Sequence, residues 1–135
     1  GNFMIANISG TVEGRLEVTA ASGLAFNNPS DRRLKENIEA APDTGSLFDA
    51  VDVVSFDWKD RAAKGGSRGN RRRWGVIAQD VLPHLPEAVY QGSEDMSDPW
   101  GVRSTEFIYT LVQEVKYLRS RVSDLEARLE ALEAG

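Results

Sequence analysis

The C-terminal segment carries an apolar repeat that a single helix cannot bury by itself. Between residues 108 and 132, eight aliphatic side chains follow one another at alternating spacings of three and four residues. Such a heptad repeat places its a and d positions in one stripe along a helix. We therefore predict a long helix over 106–132 that packs against identical helices. The a positions are Ile108, Val115, Val122 and Leu129, and the d positions are Leu111, Leu118, Leu125 and Leu132.

The charges beside this stripe indicate the direction of the partner helices. In a parallel coiled coil, each g residue lies opposite the e residue five positions further along the neighbouring helix. An exposed ion pair contributes only about 0.2–1 kcal/mol, so such pairs select register and direction more than they stabilise. The consistent pairing of opposite charges favours a parallel assembly. The three g–e pairs are Glu114–Arg119, Arg121–Glu126 and Arg128–Glu133.

The number of helices is indicated by two signals that disagree. β-Branched residues at a with Leu at d favour dimers. However, the segments 121–126 and 128–133 both resemble a known trimerisation signature. In that signature an Arg stem covers the apolar core while its head reaches a Glu on the next chain, as Arg121 with Glu126 and Arg128 with Glu133 would do here. We expect a homotrimer. The alternative is a long helix packed on its own domain, but so small a domain offers little surface to cover it.

Composition excludes several classes of protein. The chain has 135 residues, enough for one modest domain, and its lack of cysteine excludes disulfides and thiolate zinc sites. Its net charge of −5 argues against a general nucleic-acid binder. No apolar run approaches the roughly 20 residues of a membrane helix, and no leader typical of a signal peptide is visible. We expect no cofactor, no metal site and no membrane partner.

The rest of the sequence predicts an α+β fold, with a small antiparallel sheet, short helices and the long C-terminal helix. Alternating apolar residues predict strands over 53–58 and 74–78 that pair across the basic loop 59–73. Phe56, Trp58 and Trp74 are expected in the core. Short helices are predicted over 31–38, with Ser30 or Asp31 as N-cap, and over 46–51 and 79–82, and a loop over 91–103.

The first 29 residues differ from the rest in being small, polar and β-branched. Segments 3–8 and 14–18 each have the composition of a short strand. This part has too few apolar residues to fold alone. We expect it to be the end of a longer β-rich stalk.

Residues 30–38 closely resemble the opening motif of a known family. They read Ser30-Asp31-Arg32-Arg33-Leu34-Lys35-Glu36-Asn37-Ile38. This family is the intramolecular chaperone domain of phage endosialidases, tail fibres, tailspikes and neck appendages. Similar segments follow in the family's order, and the resemblance extends from residue 30 to residue 132. These similar segments are Phe-Asp-Trp at 56–58, Gly-Val-Ile-Ala-Gln-Asp-Val at 75–81, Pro-Glu-Ala-Val at 86–89 and the leucine-rich helix from Leu111.

The resemblance implies a trimeric module that folds the fibre ahead of it and then cuts itself off. The scissile bond would be Pro29–Ser30, with Ser30 as nucleophile and Lys35 as general base. Residues 1–29 would stay with the fibre, 30–105 would form the chaperone and autoprotease core, and 106–135 would form the coiled coil. The resemblance also implies that the chain belongs to the precursor of a virion tail fibre or tailspike, which is assembled in the host cytoplasm. Its partners would be two further copies and the fibre of the same polypeptide.

A serine–lysine pair has its own chemical requirements. A serine hydroxyl needs a nearby base, and a lysine is a base only when neutral. Burial and neighbouring cations, such as Arg32 and Arg33, favour the neutral amine. On a regular helix, side chains five residues apart point about 140° away from each other. We therefore predict either that Ser30 lies outside the helix or that Lys35 comes from a neighbouring chain, so that trimerisation completes the site.

Two other functions are compatible with this sequence. A purely structural trimerisation domain would use Ser30 as a helix N-cap and Lys35 as a solvated residue, without cleavage. A nucleic-acid-binding oligomer would act through the 59–73 loop, which has seven basic residues and one acidic residue. Such a loop is more often a solvated hairpin tip, so we do not expect nucleic acid as a partner.

Overall fold

The computed structural model describes residues 2–8, 11–19, 23–59 and 71–135. The chain divides into two compact units, residues 1–41 and residues 42–135. The tip of the basic loop, residues 60–70, lies outside the described residues.

The first unit contains a three-stranded antiparallel sheet in the order β1-β2-β3. The strands are β1 Asn2–Ile8, β2 Thr11–Thr19 and β3 Gly23–Asn27. The two strands predicted from the sequence are confirmed, and β3 is an addition. Among the side chains described in this unit none is buried, and Leu24 and Phe26 are mostly exposed. A sheet this small is not stable alone without a covered apolar face.

The second unit is built around a small apolar core. The helix α1, Gly45–Ala50, confirms the prediction of a helix over 46–51. A second short helix, α2, spans Ala78–Val81, and Pro83 follows its end. Partly buried residues that include Trp100 and Phe107 pack against the core. The buried apolar residues are Leu47, Ala78, Val81, Ala88 and Val89.

The predicted hairpin around the basic loop is confirmed. Strands β4 Val54–Phe56 and β5 Arg72–Gly75 pair in antiparallel fashion, with Val54 opposite Gly75. Strand β5 begins two residues before the predicted start. It ends at Gly75 because α2 begins at Ala78. The expectation that Trp58 and Trp74 are core residues is wrong for the single chain, since they are 52 % and 69 % exposed.

The region predicted as a loop over 91–103 contains part of a second hairpin. Strand β6 Val89–Tyr90 pairs with β7 Gly101–Val102. The connection needs a glycine at position 92, because an added Cβ would lie 1.8 Å from the carbonyl oxygen of Asp98. Hydrogen bonds from Ser93 and Ser97 hold the pKa of Asp95 at about 2, well below its usual value.

The long helix α3 spans Glu106–Ala134, which confirms the prediction of a helix over 106–132. Its 29 residues make a rod of about 43 Å at about 1.5 Å per residue. Its beginning is attached to its own unit, because Thr44 Oγ1 donates to Glu114 Oε2 at 2.7 Å and Gln113 Nε2 donates to the carbonyl of Pro42. The eight residues of the a–d stripe are 48–78 % exposed. The chain therefore leaves this stripe uncovered.

We expect Gly75→Ala to destabilise the second unit by about 1–3 kcal/mol, which is typical of overpacking. An added Cβ at position 75 would lie 2.6 Å from Cε1 of Phe56, closer than real contacts allow. Thermal unfolding followed by circular dichroism measures the effect. Gly101→Ala is the matched control, because its Cβ would meet Tyr90 at an ordinary 3.9 Å. If Gly75→Ala costs as much in a Phe56→Ala background, the close approach of the ring is not the cause.

Candidate functional site

The two residues selected by the sequence motif touch each other in the structure. Lys35 Nζ donates a hydrogen bond to Ser30 Oγ at 2.7 Å. Both residues, and all others from 23 to 41 except Ala25, are exposed. The contact lies within one chain and within the unit 1–41.

The local backbone explains how the two side chains meet. The predicted helix over 31–38 is wrong, because only Arg32–Leu34 forms a single 3-10 turn. Asp31 and Lys35 on either side have extended backbones, with ψ of 133° and 140°, and Asn37 has a φ of 52°. The separation of 140° expected on a regular helix therefore does not apply. Ser30 lies outside the helical turn, as the first of the two predicted arrangements requires.

Asp31 is the residue that holds the turn in place. Its Oδ1 accepts from the backbone N–H of Arg33 at 2.8 Å, which is an N-cap hydrogen bond. The guanidinium of Arg33 also donates to both carboxylate oxygens, the shortest distance being 2.7 Å from Nη2 to Oδ2. These side-chain and backbone hydrogen bonds lower the pKa of Asp31 and raise that of Arg33. Of the two predicted N-caps, the structure selects Asp31, which leaves the Ser30 hydroxyl available to Lys35.

The arrangement defines what chemistry is possible. An ammonium at this position could only donate and could not take the proton of Ser30. A neutral amine at the same 2.7 Å separation is within the range over which a general base acts. The exposed surroundings in a single chain give no burial to favour that neutral form. The pair thus has the geometry of a nucleophile and its base but not yet the environment.

The basic segment is partly used within its own hairpin. Arg71 donates to Asp57 at 2.8 Å and to Ser55 at 3.0 Å, and so joins the two sides of the loop. The guanidinium of Arg73 lies 4.3 Å from the ring centre of Trp74, a cation–π contact. The remaining basic residues of the loop, apart from Lys59 and Arg72, lie outside the described residues. No group of three or more His, Asp or Glu side chains in the described ranges is placed to hold a metal ion.

The predicted trimerisation residues lie on the exposed part of α3. Arg121, Glu126, Arg128 and Glu133 all face solvent, as do the a and d residues. The sequence did not reveal the attachment of α3 through Thr44 and Gln113. Thr44 is 6 % exposed, yet it stands in a turn of ordinary composition, and no periodic signal marks it.

The two hairpins and the long helix of the unit 42–135 form a small α+β domain, and the helix carries an exposed apolar stripe. Residues 30–90 match the family model Peptidase_S74, described as chaperone of endosialidase. This segment is similar to the chaperone domain of endosialidase-type proteins, in a family whose name classes it among the peptidases. The match begins at Ser30, the residue whose hydroxyl receives the hydrogen bond of Lys35. In the described part of the chain, no helix is long and apolar enough to cross a bilayer.

We expect the carboxyl group of Asp31 to titrate below its ordinary pKa, because the ionised form is the acceptor for Arg33. The contact is present above the usual pKa of an aspartate and is lost as the pH falls through the lowered value. NMR of the side-chain carboxyl carbon measures this titration. Arg33→Gln should return the pKa of Asp31 towards its ordinary value, whereas Arg32→Gln should leave it unchanged. Equal titration in all three proteins would contradict the described contact.

Proposed function

We propose that this chain is a trimeric chaperone that folds a phage tail fibre or tailspike and then releases itself by cutting the Pro29–Ser30 bond. The observation that carries the proposal is the 2.7 Å contact between Lys35 Nζ and Ser30 Oγ at the first residue of the family match. Ser30 is the nucleophile and Lys35 the general base. Residues 1–29 remain with the fibre, and residues 30–135 leave as the chaperone fragment.

The reaction follows from the position of the serine directly after the bond that breaks. Neutral Lys35 takes the proton of Ser30 Oγ, which attacks the carbonyl carbon of Pro29. The C–N bond breaks, the amine of Ser30 takes the proton back from the Lys35 ammonium, and an ester joins Pro29 to Oγ. Water then hydrolyses this ester, which leaves a carboxylate on Pro29 and restores the serine hydroxyl. Overall, one water is consumed and one peptide bond is broken.

Assembly before cleavage accounts for the exposed state of the pair in one chain. Burial is needed to favour the neutral amine, and a single chain does not supply it. Neighbouring chains joined through α3 would cover residues that are exposed in one copy. This order of events delays cutting until three copies have met. The base is then supplied either by the same chain, as the contact suggests, or by a neighbouring one.

The exposed apolar residues support an oligomer. All eight stripe residues of α3 are about half exposed or more, and an uncovered stripe of this length is unfavourable in water. Covering it with two identical parallel helices buries the a and d side chains and brings the opposite charges at g and e together.

A structural trimerisation domain without cleavage is the second candidate. The observation in its favour is that Ser30 and Lys35 are exposed, so that the contact resembles an ordinary surface hydrogen bond. The two candidates share the coiled coil and differ only in the fate of the Pro29–Ser30 bond.

The fragments report directly on cleavage. We expect intact-mass spectrometry of the purified chain to find pieces 1–29 and 30–135. Ser30→Ala and Lys35→Ala should each leave one uncut chain. Ser46→Ala and Lys116→Ala, which change exposed residues of the same types, are the controls. An uncut wild-type chain within a stable trimer would favour the structural candidate.

Mixed trimers distinguish a base in the same chain from a base in a neighbouring chain. If Lys35 of one copy serves Ser30 of another, co-assembled Ser30→Ala and Lys35→Ala chains should regain cleavage of the Lys35→Ala copies. The contact within one chain leads us to expect no such recovery. Fragments from mixed trimers, measured by mass because the two chains differ, would show instead that the site is shared.

We expect Leu118→Asp to convert the trimer into a monomer, because it places an unpaired charge at a d position in the centre of the coiled coil. Sedimentation velocity at micromolar concentration measures the change. Ser120→Asp, two residues away at an f position, is the control and should remain trimeric. A monomeric wild-type chain would refute the proposed assembly.

A further inference from the structure

An apolar groove lies beside the beginning of α3 in the unit 42–135. Its volume is about 670 Å³. The β4–β5 hairpin, β7 and α3 all contribute to it, and the ring of Phe56 forms part of its wall. Its apolar lining includes Val53, Phe56, Trp74, Val102, Phe107 and Leu111.

The groove is continuous with the stripe of α3. Leu111 is a d residue of the heptad repeat and also lines the groove. Phe107, at a g position, lines the groove too and is partly buried against the core of its own unit. The two surfaces therefore form one uninterrupted apolar region that starts on the domain and runs along the helix.

A second apolar patch, formed by Tyr109 and Val112, lies on the other flank of α3 near its beginning. Val112, at an e position, is 54 % exposed, and Tyr109, at a b position, is 77 % exposed. The two residues are three positions apart, so they lie on one side of the helix. Neither belongs to the a–d stripe, and pairing of the stripe with other helices does not cover Tyr109 at its b position.

Charge complementarity fixes how neighbouring helices align. Arg121 pairs with Glu126 and Arg128 with Glu133 only when each g residue meets the e residue five positions further on. Two heptads before Arg121, the same register places Phe107 opposite Val112 of a neighbouring copy. The first g–e pair of the helix is therefore apolar, and its g member is a wall of the groove.

We propose that Val112 and Tyr109 of one copy occupy the groove of the neighbouring copy, against Phe107 and the β4–β5 hairpin. This inference rests on the parallel coiled coil of the proposed function. It adds that the domain of each copy contacts helix α3 of the neighbouring copy directly, so that the domain as well as the helix forms the interface. Exposed aromatic residues of the hairpin then become contacts between copies.

Disulfide trapping tests the contact, and the chain has no cysteine of its own. The double variant Phe107→Cys/Val112→Cys should form covalent trimers on a non-reducing gel after mild oxidation. A bond within one helix is excluded, because positions five apart point about 140° away from each other. Phe107→Cys/Lys116→Cys, which moves the second thiol to a b position, should stay monomeric on the gel.

A second pair separates this inference from the proposed function. Arg121→Cys/Glu126→Cys reports the same g–e register further along the helix, away from the groove. Cross-linking of both pairs supports the proposal. Cross-linking at 121/126 without 107/112 overturns the groove contact and leaves the parallel coiled coil intact. Failure of both pairs overturns the groove contact and the assembly together.

A variant without cysteine guards against damage caused by replacing Phe107. Val112→Lys should weaken assembly at least about tenfold in sedimentation equilibrium, because it puts a second positive charge into a largely apolar groove that Arg72 also lines. Tyr117→Lys is the matched control, since Tyr117 is similarly exposed at 50 % but lies at a c position. Equal effects of the two substitutions would refute the proposal.

Discussion

The uncovered apolar stripe of α3 is the constraint on which the rest of this structure depends. The chain buries only five apolar side chains within its described part, whereas eight aliphatic residues on α3 remain about half exposed or more. At roughly 25 cal/mol per Å² of apolar surface, covering these half-exposed side chains would contribute a free energy comparable with that of the five buried core residues. In the proposed trimer, folding and association are therefore expected to be coupled.

The same dependence extends to the Ser30–Lys35 pair. The short turn capped by Asp31 supplies the geometry, and it does so from local sequence alone. The environment that a neutral amine needs cannot come from a segment in which neighbouring side chains are exposed. The local sequence therefore encodes the geometry of the pair. In the proposed function, assembly would supply the environment, so that the chaperone separates from its fibre only after three chains have met.

The sequence predicted those elements whose signals are periodic or local. The heptads determined α3 to within two residues at its end, and alternation determined the β4–β5 hairpin. The helix over 31–38 was overpredicted because the capping of Asp31 stabilises one turn without continuing it. The β6–β7 hairpin depends on a close backbone approach at Gly92, which no pattern reveals. Trp58 and Trp74 are 52 % and 69 % exposed, so hydrophobicity alone does not predict burial within the chain.

Glu114 shows how the function of α3 changes along its length. As a g residue it was expected to face Arg119 of a neighbouring helix, and that pairing stays a prediction. In the structure its carboxylate accepts a hydrogen bond from Thr44, whose hydroxyl is held in a buried position of the same chain. The first three turns therefore attach the helix to its own domain, with Phe107 at the preceding g position also turned towards it. The charged g–e pairs from Arg121 onwards make no such contact within the described chain, which leaves them available for choosing direction and register. Because the charged g–e pairs lie beyond the turns that attach the helix, in the proposed assembly the helix can be fixed to its domain before these pairs form.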